Sequence, residues 1–223
     1  MIPPPRQLAL AIEHAESYAR DDFLAGSCNA AALELIDCWP NWPAQAIALI
    51  GPEGSGKTHL ATIWAAAAGA RVTSGRALDM RSVPGALATG ALVVEDAAAT
   101  IDERALFHLI NLAREEHAFL LFTGRTAPAT WPLALPDLVS RLRALPVVGL
   151  QAPDDATLRG VILKLAADRQ LPIDEPIVQY LSNRIERSFA AARAAVIALD
   201  NEALRQRRPP SRALAAEILR DSA

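Results

Sequence analysis

Residues 46–58 read AIALIGPEGSGKT, and this stretch decides the fold. Its first five residues, 46–50, are apolar and predict a short buried strand. The Gly-rich residues 51–56 predict a loop, and the Ala-rich sequence from 57 to 69 predicts a helix. The loop and the start of the helix match the pattern G-x-x-x-x-G-K-[ST], which is typical of loops that cradle phosphates. The stretch therefore predicts a phosphate site between a strand and a helix.

The chemistry of phosphate binding accounts for the residue types in this loop. Glycines let backbone N–H groups turn towards the phosphates, and the helix directs the positive end of its dipole at them. Lys57, one of only two lysines in the chain, would supply a charge to the β- and γ-phosphates, and Thr58 would be a Mg²⁺ ligand. A chance Gly-rich turn is the alternative. The predicted nucleotide-binding residues here are Gly51, Pro52, Glu53, Gly54, Ser55, Gly56, Lys57, Thr58 and His59.

Strand and helix patterns alternate on both sides of the loop and then change at residue 151. Alternation of this kind predicts an α/β fold with a five-stranded parallel sheet and helices on both faces. The residues after 151 have only helical patterns, which predict a small C-terminal helical lid. The strands are predicted at 46–50, 70–75, 91–97, 118–125 and 147–150, a further core helix at 102–117, and the lid helices at 154–170, 174–183, 187–207 and 211–221.

Two carboxylates, Glu95 and Asp96, end the apolar run ALVV at 91–94. At the tip of a strand predicted beside the phosphate loop, one of them would hold Mg²⁺ and the other would orient an attacking water. The residues alone leave open which carboxylate does which, and a solvated surface pair is the alternative. The usual order is Asp followed by Glu, and the reversed order here argues against efficient intrinsic hydrolysis.

Composition limits the class of protein. The chain has 223 residues, of which 52% are hydrophobic and 21% charged, so a core can form and wholesale disorder is excluded. A net charge of −3 argues against a nucleic-acid-binding polycation. Cys28 and Cys38 have no metal-ligand spacing and are expected to be reduced thiols. No signal peptide or membrane-spanning pattern is present, so we expect a soluble, cytoplasmic protein without a membrane partner.

These motifs resemble those of the AAA+ ATPases, and four further segments resemble the DnaA-type initiator branch. The resemblance implies an AAA+ P-loop NTPase core that binds ADP or ATP with Mg²⁺. Phe23, Leu24 and Asn29 in DFLAGSCN would lie against the adenine, and Thr123 in LLFTG would be the sensor 1 residue. In PDLVSRL, Arg141 matches the arginine finger, and in NRIERS, Arg184 matches the sensor 2 arginine. The alternatives are ordinary core or surface roles, with Arg143 and Arg187 as competing arginines.

The C-terminal end of the chain differs from that of DnaA initiators, which carry a helix-turn-helix domain after the lid. Here the sequence ends at Ala223, shortly after the fourth predicted lid helix. The basic cluster Arg205, Arg207, Arg208 and Arg212 lies among acidic residues and lacks aromatic neighbours. We therefore expect no sequence-specific DNA binding.

At the other end, residues 7–12 read QLALAI and resemble the peptide with which partners bind the bacterial sliding clamp. In an extended peptide, Gln7 would make polar contacts while Leu8, Leu10 and Ile12 enter a groove. One face of a helix is the alternative reading, because Leu8 and Ile12 also have helical spacing. The predicted organisation is a clamp-binding segment at 1–20, the core at 21–150 and the lid at 151–223.

The combination is similar to the family of Hda-like proteins, the DnaA-related AAA+ regulators that inactivate DnaA. That resemblance implies docking on the DNA-loaded sliding clamp, the β subunit of DNA polymerase III. It also implies delivery of Arg141 to DnaA-bound ATP, so that replication initiation is negatively regulated and the chain's own hydrolysis is secondary. An autonomous ATPase, a helicase-loader-like adaptor and a DNA-binding initiator relative are the rival readings. The nature of the working nucleotide and homo-oligomerisation stay open.

Overall fold

The computed structural model describes residues 19–100 and 102–221. The described residues fall into two compact units, residues 19–154 and residues 155–221. The first unit contains all the strands of the described chain, and the second contains only helices and their connections. None of the described helices is both long and apolar enough to cross a membrane.

The first unit is built on one sheet of five parallel strands in the order β2-β3-β4-β1-β5. The strands are β1 (Ala46–Ile50), β2 (Arg71–Ser74), β3 (Ala91–Glu95), β4 (Phe119–Gly124) and β5 (Val147–Gly149). Its helices are α1 (Ala30–Asp37), α2 (Lys57–Ala68), α3 (Val83–Ala86), α4 (Glu103–Glu115) and α5 (Pro136–Arg143).

The central strand β1 is buried from both faces of the sheet, which explains its uninterrupted apolar sequence. Ile47 and Leu49 belong to one apolar cluster, which includes Trp64 of α2. Ala48 belongs to a second cluster, which includes residues of α4 and α5. Because side chains alternate along a strand, these two clusters lie on opposite faces of the sheet. The helices therefore cover both faces, as the sequence predicts.

The second unit contains α6 (Asp155–Asp168), α7 (Glu175–Ser182), α8 (Phe189–Gln206) and α9 (Arg212–Asp221). It has an apolar core of its own, which includes Leu158, Leu181, Val196 and Leu199. Capping side chains start two of its helices, since Asp174 accepts a hydrogen bond from the Ile177 N–H and Ser188 accepts one from the Ala191 N–H. Such caps satisfy backbone donors that a helix leaves unpaired at its first turn.

The predicted fold class is confirmed in the described residues: an α/β architecture with a five-stranded parallel sheet, followed by a helical C-terminal region. β3, which ends at Glu95, does not pair with β1 directly, because β4 lies between them. In the register, Ile50 lies opposite Gly124 of β4 and Gly149 of β5, so the carboxyl ends of these strands share one edge.

Candidate functional site

The phosphate-loop sequence leaves β1 at that edge, and its glycines are required by geometry. A Cβ atom at Gly51 would lie 2.5 Å from the carbonyl oxygen of Leu150, which is a prohibitive contact with the backbone. Gly56 has a φ of 95°, a left-handed conformation that favours glycine, and it precedes the first turn of α2. The Gly51 N–H donates to the Gly124 carbonyl over 3.1 Å. The start of the loop is thus fixed to the end of β4.

Lys57 directs its ammonium group back into the loop. Its Nζ donates to the carbonyl oxygens of Gly51 at 2.9 Å and Pro52 at 2.7 Å, and the residue is buried. Burial lowers the pKa of Lys57, and the positive charge of Arg125 lowers it further, whereas the negative charges of Asp96 and Glu53 oppose that shift. The loop therefore holds a largely desolvated cation against its own backbone.

Thr58 and Glu95 meet at the same edge although they come from different elements. The Thr58 hydroxyl lies 3.4 Å from Oε2 of Glu95, to which it donates. Oε1 of Glu95 is buried without a hydrogen-bond partner among the described residues, and burial raises the pKa of this carboxyl. Oγ of Ser55, inside the loop, is likewise buried without a partner. Buried polar atoms without partners are uncommon in folded proteins and mark this edge as a place for ligands.

The donor set fits a magnesium ion. Within residues 19–100 and 102–221, no group of three or more His, Cys, Asp or Glu side chains is placed to hold a metal by itself. Mg²⁺ does not need such a cage, because it usually binds one or two protein oxygens together with phosphate oxygens and water. The Thr58 hydroxyl and the unpartnered oxygen of Glu95 provide oxygens of this kind.

Asp96 and Thr123 link the ends of β3 and β4. The Asp96 N–H donates to Oγ1 of Thr123 over 3.1 Å, and Thr123 is 3% exposed. Asp96 has a φ of 46°, a left-handed conformation that Asp tolerates better than most residues, and its side chain is exposed. Glu95, Asp96 and Thr123 are therefore brought together at the edge that carries the phosphate loop.

The segment predicted to contact the adenine is tightly packed. Phe23 is 7% exposed, and its ring meets that of His59 edge to face with 5.2 Å between centroids. Leu24 is half-buried. The buried Asn29 side chain accepts from the Gly26 N–H at 2.8 Å and donates to the Leu24 carbonyl at 3.0 Å. Asn29 therefore holds the shape of this loop through backbone bonds.

Arg141 lies on α5, which is fixed to α4 at both ends. Its guanidinium carbon is 5.1 Å from the centre of the Phe107 ring, and the side chain is half-buried, whereas Arg143 is exposed. At the start of α5, the Glu103 carboxylate accepts from the N–H groups of Ala134 at 3.0 Å and Leu135 at 2.9 Å. This role of Glu103 has no signal in the sequence, because no local pattern reveals a cap that comes from another helix.

Arg184 lies in the helical unit, where the structure separates it from its competitor Arg187. The guanidinium carbon of Arg184 is 3.9 Å from the centre of the Tyr180 ring, one helical turn away. Arg187 instead forms an ion pair of 2.8 Å with Asp155. The four residues of the predicted clamp-binding peptide, Gln7, Leu8, Leu10 and Ile12, lie outside the described residues.

Arg125, which follows β4 directly, also lies at the edge that carries the phosphate loop, although it was not among the residues predicted from the sequence. Its Nη2 donates to the carboxylate of Glu53 in the phosphate loop. The signal available in the sequence was its position: Arg125 directly follows Gly124, which ends the strand that carries the predicted sensor 1 residue Thr123. That strand ends at the edge of the sheet where the loop lies.

Comparison with solved structures identifies the same fold in a replication initiation protein and in a branch migration motor. Domain III of the replication initiation protein DnaA from Thermotoga maritima aligns with a TM-score of 0.75 and 20% identity, over 92% of this chain and 96% of that one. AMPPCP-bound DnaA from Aquifex aeolicus gives a TM-score of 0.65 and 19% identity, over 81% and 64% of the two chains.

The RuvB Holliday junction branch migration motor of Thermotoga maritima gives a TM-score of 0.71 and 18% identity, over 92% of this chain and 72% of that one. No protein-family model matches the chain, and no curated protein sequence matches it either. At these identities the likeness concerns the fold. The chain has the α/β fold that these DnaA and RuvB structures share.

Proposed function

We propose that this chain is an AAA+ regulator that binds ATP or ADP, docks on the DNA-loaded sliding clamp and stimulates hydrolysis of DnaA-bound ATP. Arg141 would act as the arginine finger, and the result would be negative regulation of replication initiation. The observation that carries the proposal is the convergence of Lys57, Thr58 and Glu95 at the carboxyl edge of the sheet.

Nucleotide binding follows from what these residues can do. The Lys57 ammonium lies against two loop carbonyls, and phosphate oxygens are stronger acceptors for it. The α2 N-terminus directs its dipole at the same place. Thr58 and Glu95 would hold Mg²⁺, which would neutralise part of the phosphate charge. DnaA structures with the same fold are bound to AMPPCP, which supports a nucleotide at the corresponding loop here.

Equilibrium binding of ATP and ADP tests this part. Lys57→Ala should lower the affinity for both nucleotides by about a hundredfold, because a charge-assisted contact is worth about 1.5–3 kcal/mol. Lys164→Ala removes the other lysine, which lies on α6 and pairs with Asp168, and is the matched control. Equal affinity of wild type and Lys57→Ala would contradict nucleotide binding by this loop.

The finger proposal is supported by how Arg141 is held. Glu103 fixes the start of α5 and the Phe107 ring lies under the guanidinium, so the side chain is positioned without an acidic partner that would neutralise it among the described contacts. An arginine supplied in trans to a transferring phosphoryl group stabilises its developing charge and contributes about 10³–10⁵ in rate in known cases. The reversed order of Glu95 and Asp96 is consistent with weak hydrolysis by the chain itself.

The deciding experiment measures hydrolysis of DnaA-bound ATP with and without this protein, each with and without clamp loaded on DNA. We expect stimulation that requires the clamp and falls at least a hundredfold with Arg141→Ala. Arg143→Ala, an exposed arginine on the same helix, is the matched control and should retain stimulation. Gln7→Ala should abolish clamp retention while nucleotide binding survives. Turnover of ATP by the isolated protein at rates that DnaA and clamp do not change would favour an autonomous ATPase instead.

A further inference from the structure

Glu53 and Arg125 form an ion pair directly on the phosphate loop. Glu53 is the third residue of the loop, and Arg125 is the first residue after β4. Both side chains are exposed, Arg125 by 70% and Glu53 by 78%. Pairs this exposed contribute little to folding stability, so stability does not explain the arrangement.

The backbone fixes Arg125 to the loop independently of this ion pair. The carbonyl of Gly124, the residue before it, accepts the N–H of Gly51, the first loop residue. The charge of Arg125 is also close enough to Lys57 to be among the causes that lower the Lys57 pKa. Two cations from different elements, Lys57 and Arg125, therefore act on the same small region.

A carboxylate in a loop that binds polyphosphate poses an electrostatic problem. Its negative charge repels the ligand unless a cation compensates it. Arg125 is that cation, and its planar guanidinium has five N–H donors, of which the pair with Glu53 uses one. The remaining donors suit bidentate contact with a phosphate group.

We propose that Arg125 is a further phosphate-contacting residue of the nucleotide site. Glu53 holds the Arg125 guanidinium over the loop, and this guanidinium contacts both Glu53 and the terminal phosphate of a bound nucleoside di- or triphosphate. This inference rests on the proposed nucleotide binding. It assigns Glu53 a role that opposes that of Lys57: the carboxylate positions the second cation and competes with the ligand for it.

The test measures equilibrium binding of ATP, ADP and AMP, each with Mg²⁺, to the full chain. Arg125→Gln should weaken ATP binding about tenfold, ADP binding less, and AMP binding hardly at all, because the lost contacts are to the outer phosphates. Glu53→Gln should tighten ATP binding severalfold. In the double variant the gain from Glu53→Gln should shrink, since part of it depends on Arg125.

Arg114→Gln is the matched control, because it removes one exposed positive charge from the last turn of α4, which leads to the start of β4 at the opposite edge of the sheet. It should leave all three affinities unchanged. Arg125→Lys keeps the charge without the planar fork and should give an intermediate ATP affinity. Thermal melting of each variant tests whether the exposed substitutions leave the fold intact.

Unchanged ATP affinity in Arg125→Gln, or equal losses for ATP and AMP, would overturn this inference and leave Arg125 as the ion-pair partner of Glu53 alone. A wild-type protein that binds no ATP would overturn the proposed nucleotide binding together with this inference. The two failures are therefore distinguishable in one set of titrations.

Discussion

The two units of the chain treat buried polar atoms differently. In the helical unit, the buried hydroxyls of Ser182 and Ser188 have backbone partners. In the α/β unit, four buried polar atoms have no partner among the described residues: the indole nitrogens of Trp39 and Trp64 and, beside the phosphate loop, Oγ of Ser55 and Oε1 of Glu95. Leaving such atoms unpaired costs stability. The comparison teaches that the helical unit pairs its buried serines internally, whereas the phosphate-loop edge retains buried groups that a ligand can satisfy.

The largest expected effect on stability is in the helical core. Leu199 of α8 is completely buried, so Leu199→Ala should lower the free energy of unfolding by about 2–5 kcal/mol through lost burial and the cavity it leaves. Chemical denaturation of the full chain measures this loss. Leu204→Ala on the same helix is the control, because Leu204 is 63% exposed and its loss should change stability by less than about 0.5 kcal/mol. Similar losses for both variants would contradict the assigned core.

A smaller loss is expected at the start of α7. Asp174→Ala removes the side chain that accepts the Ile177 N–H over 3.1 Å, and such caps contribute about 1 kcal/mol. The same denaturation experiment measures it. Asp174→Asn keeps a capping oxygen and should recover most of the stability. If Asp174→Asn is as unstable as Asp174→Ala, the charge of Asp174, and not its capping oxygen, is responsible for the stabilisation.

The smallest effect, and one of opposite sign, is expected at Glu95. Burial raises the pKa of this carboxyl above its usual value near 4.5, so the folded protein retains the proton at a pH where the unfolded chain releases it. Stability contributed by this group is therefore lost as the pH rises from about 4.5 through the raised pKa. Glu95→Gln removes that loss, and above this window it should stabilise the protein, by less than about 1 kcal/mol because the side chain is half-exposed.

Measurement of stability against pH for wild type and Glu95→Gln tests this prediction. The two curves should coincide at acidic pH and separate as the pH rises, with the variant more stable. If the variant also loses nucleotide affinity, the contrast between the units sharpens: a residue can be unfavourable for folding and required for the ligand. A variant that is less stable at neutral pH would contradict the assignment.

Much of the fold follows from local sequence. The predicted strand at 46–50, the loop and the helix from Lys57 match β1 and α2 closely, because apolar runs, glycines and the start of a helix are encoded within a few residues. The helices of the C-terminal unit also lie within a few residues of their predicted bounds. The order of the strands is a different matter. That β4 separates β1 from β3 depends on tertiary packing, and no local pattern specifies it.

The sequence predicts which residue types belong to the site but not which residues contact one another there. The motif identifies Lys57 and Thr58, yet only the structure brings Glu95 to Thr58 and Arg125 to Glu53, pairs 37 and 72 residues apart in sequence. The same holds for Asn29, whose type suits a ligand contact but whose amide is engaged by the backbone of its own loop. Long-range pairing of this kind is decided by the fold and has no short sequence signature.

The bond between the Asp96 N–H and Oγ1 of Thr123 restricts which amino acids can replace that threonine. The hydroxyl already accepts the N–H of Asp96, the residue after β3, so its single hydrogen is directed elsewhere. Serine would keep both the acceptor oxygen and the hydroxyl hydrogen. Valine has nearly the same shape as threonine but would leave the Asp96 N–H without its acceptor. A saturation library at this position should therefore return hydroxyl-bearing residues and reject isosteric hydrocarbons, although the site lies at the end of a strand that is otherwise apolar.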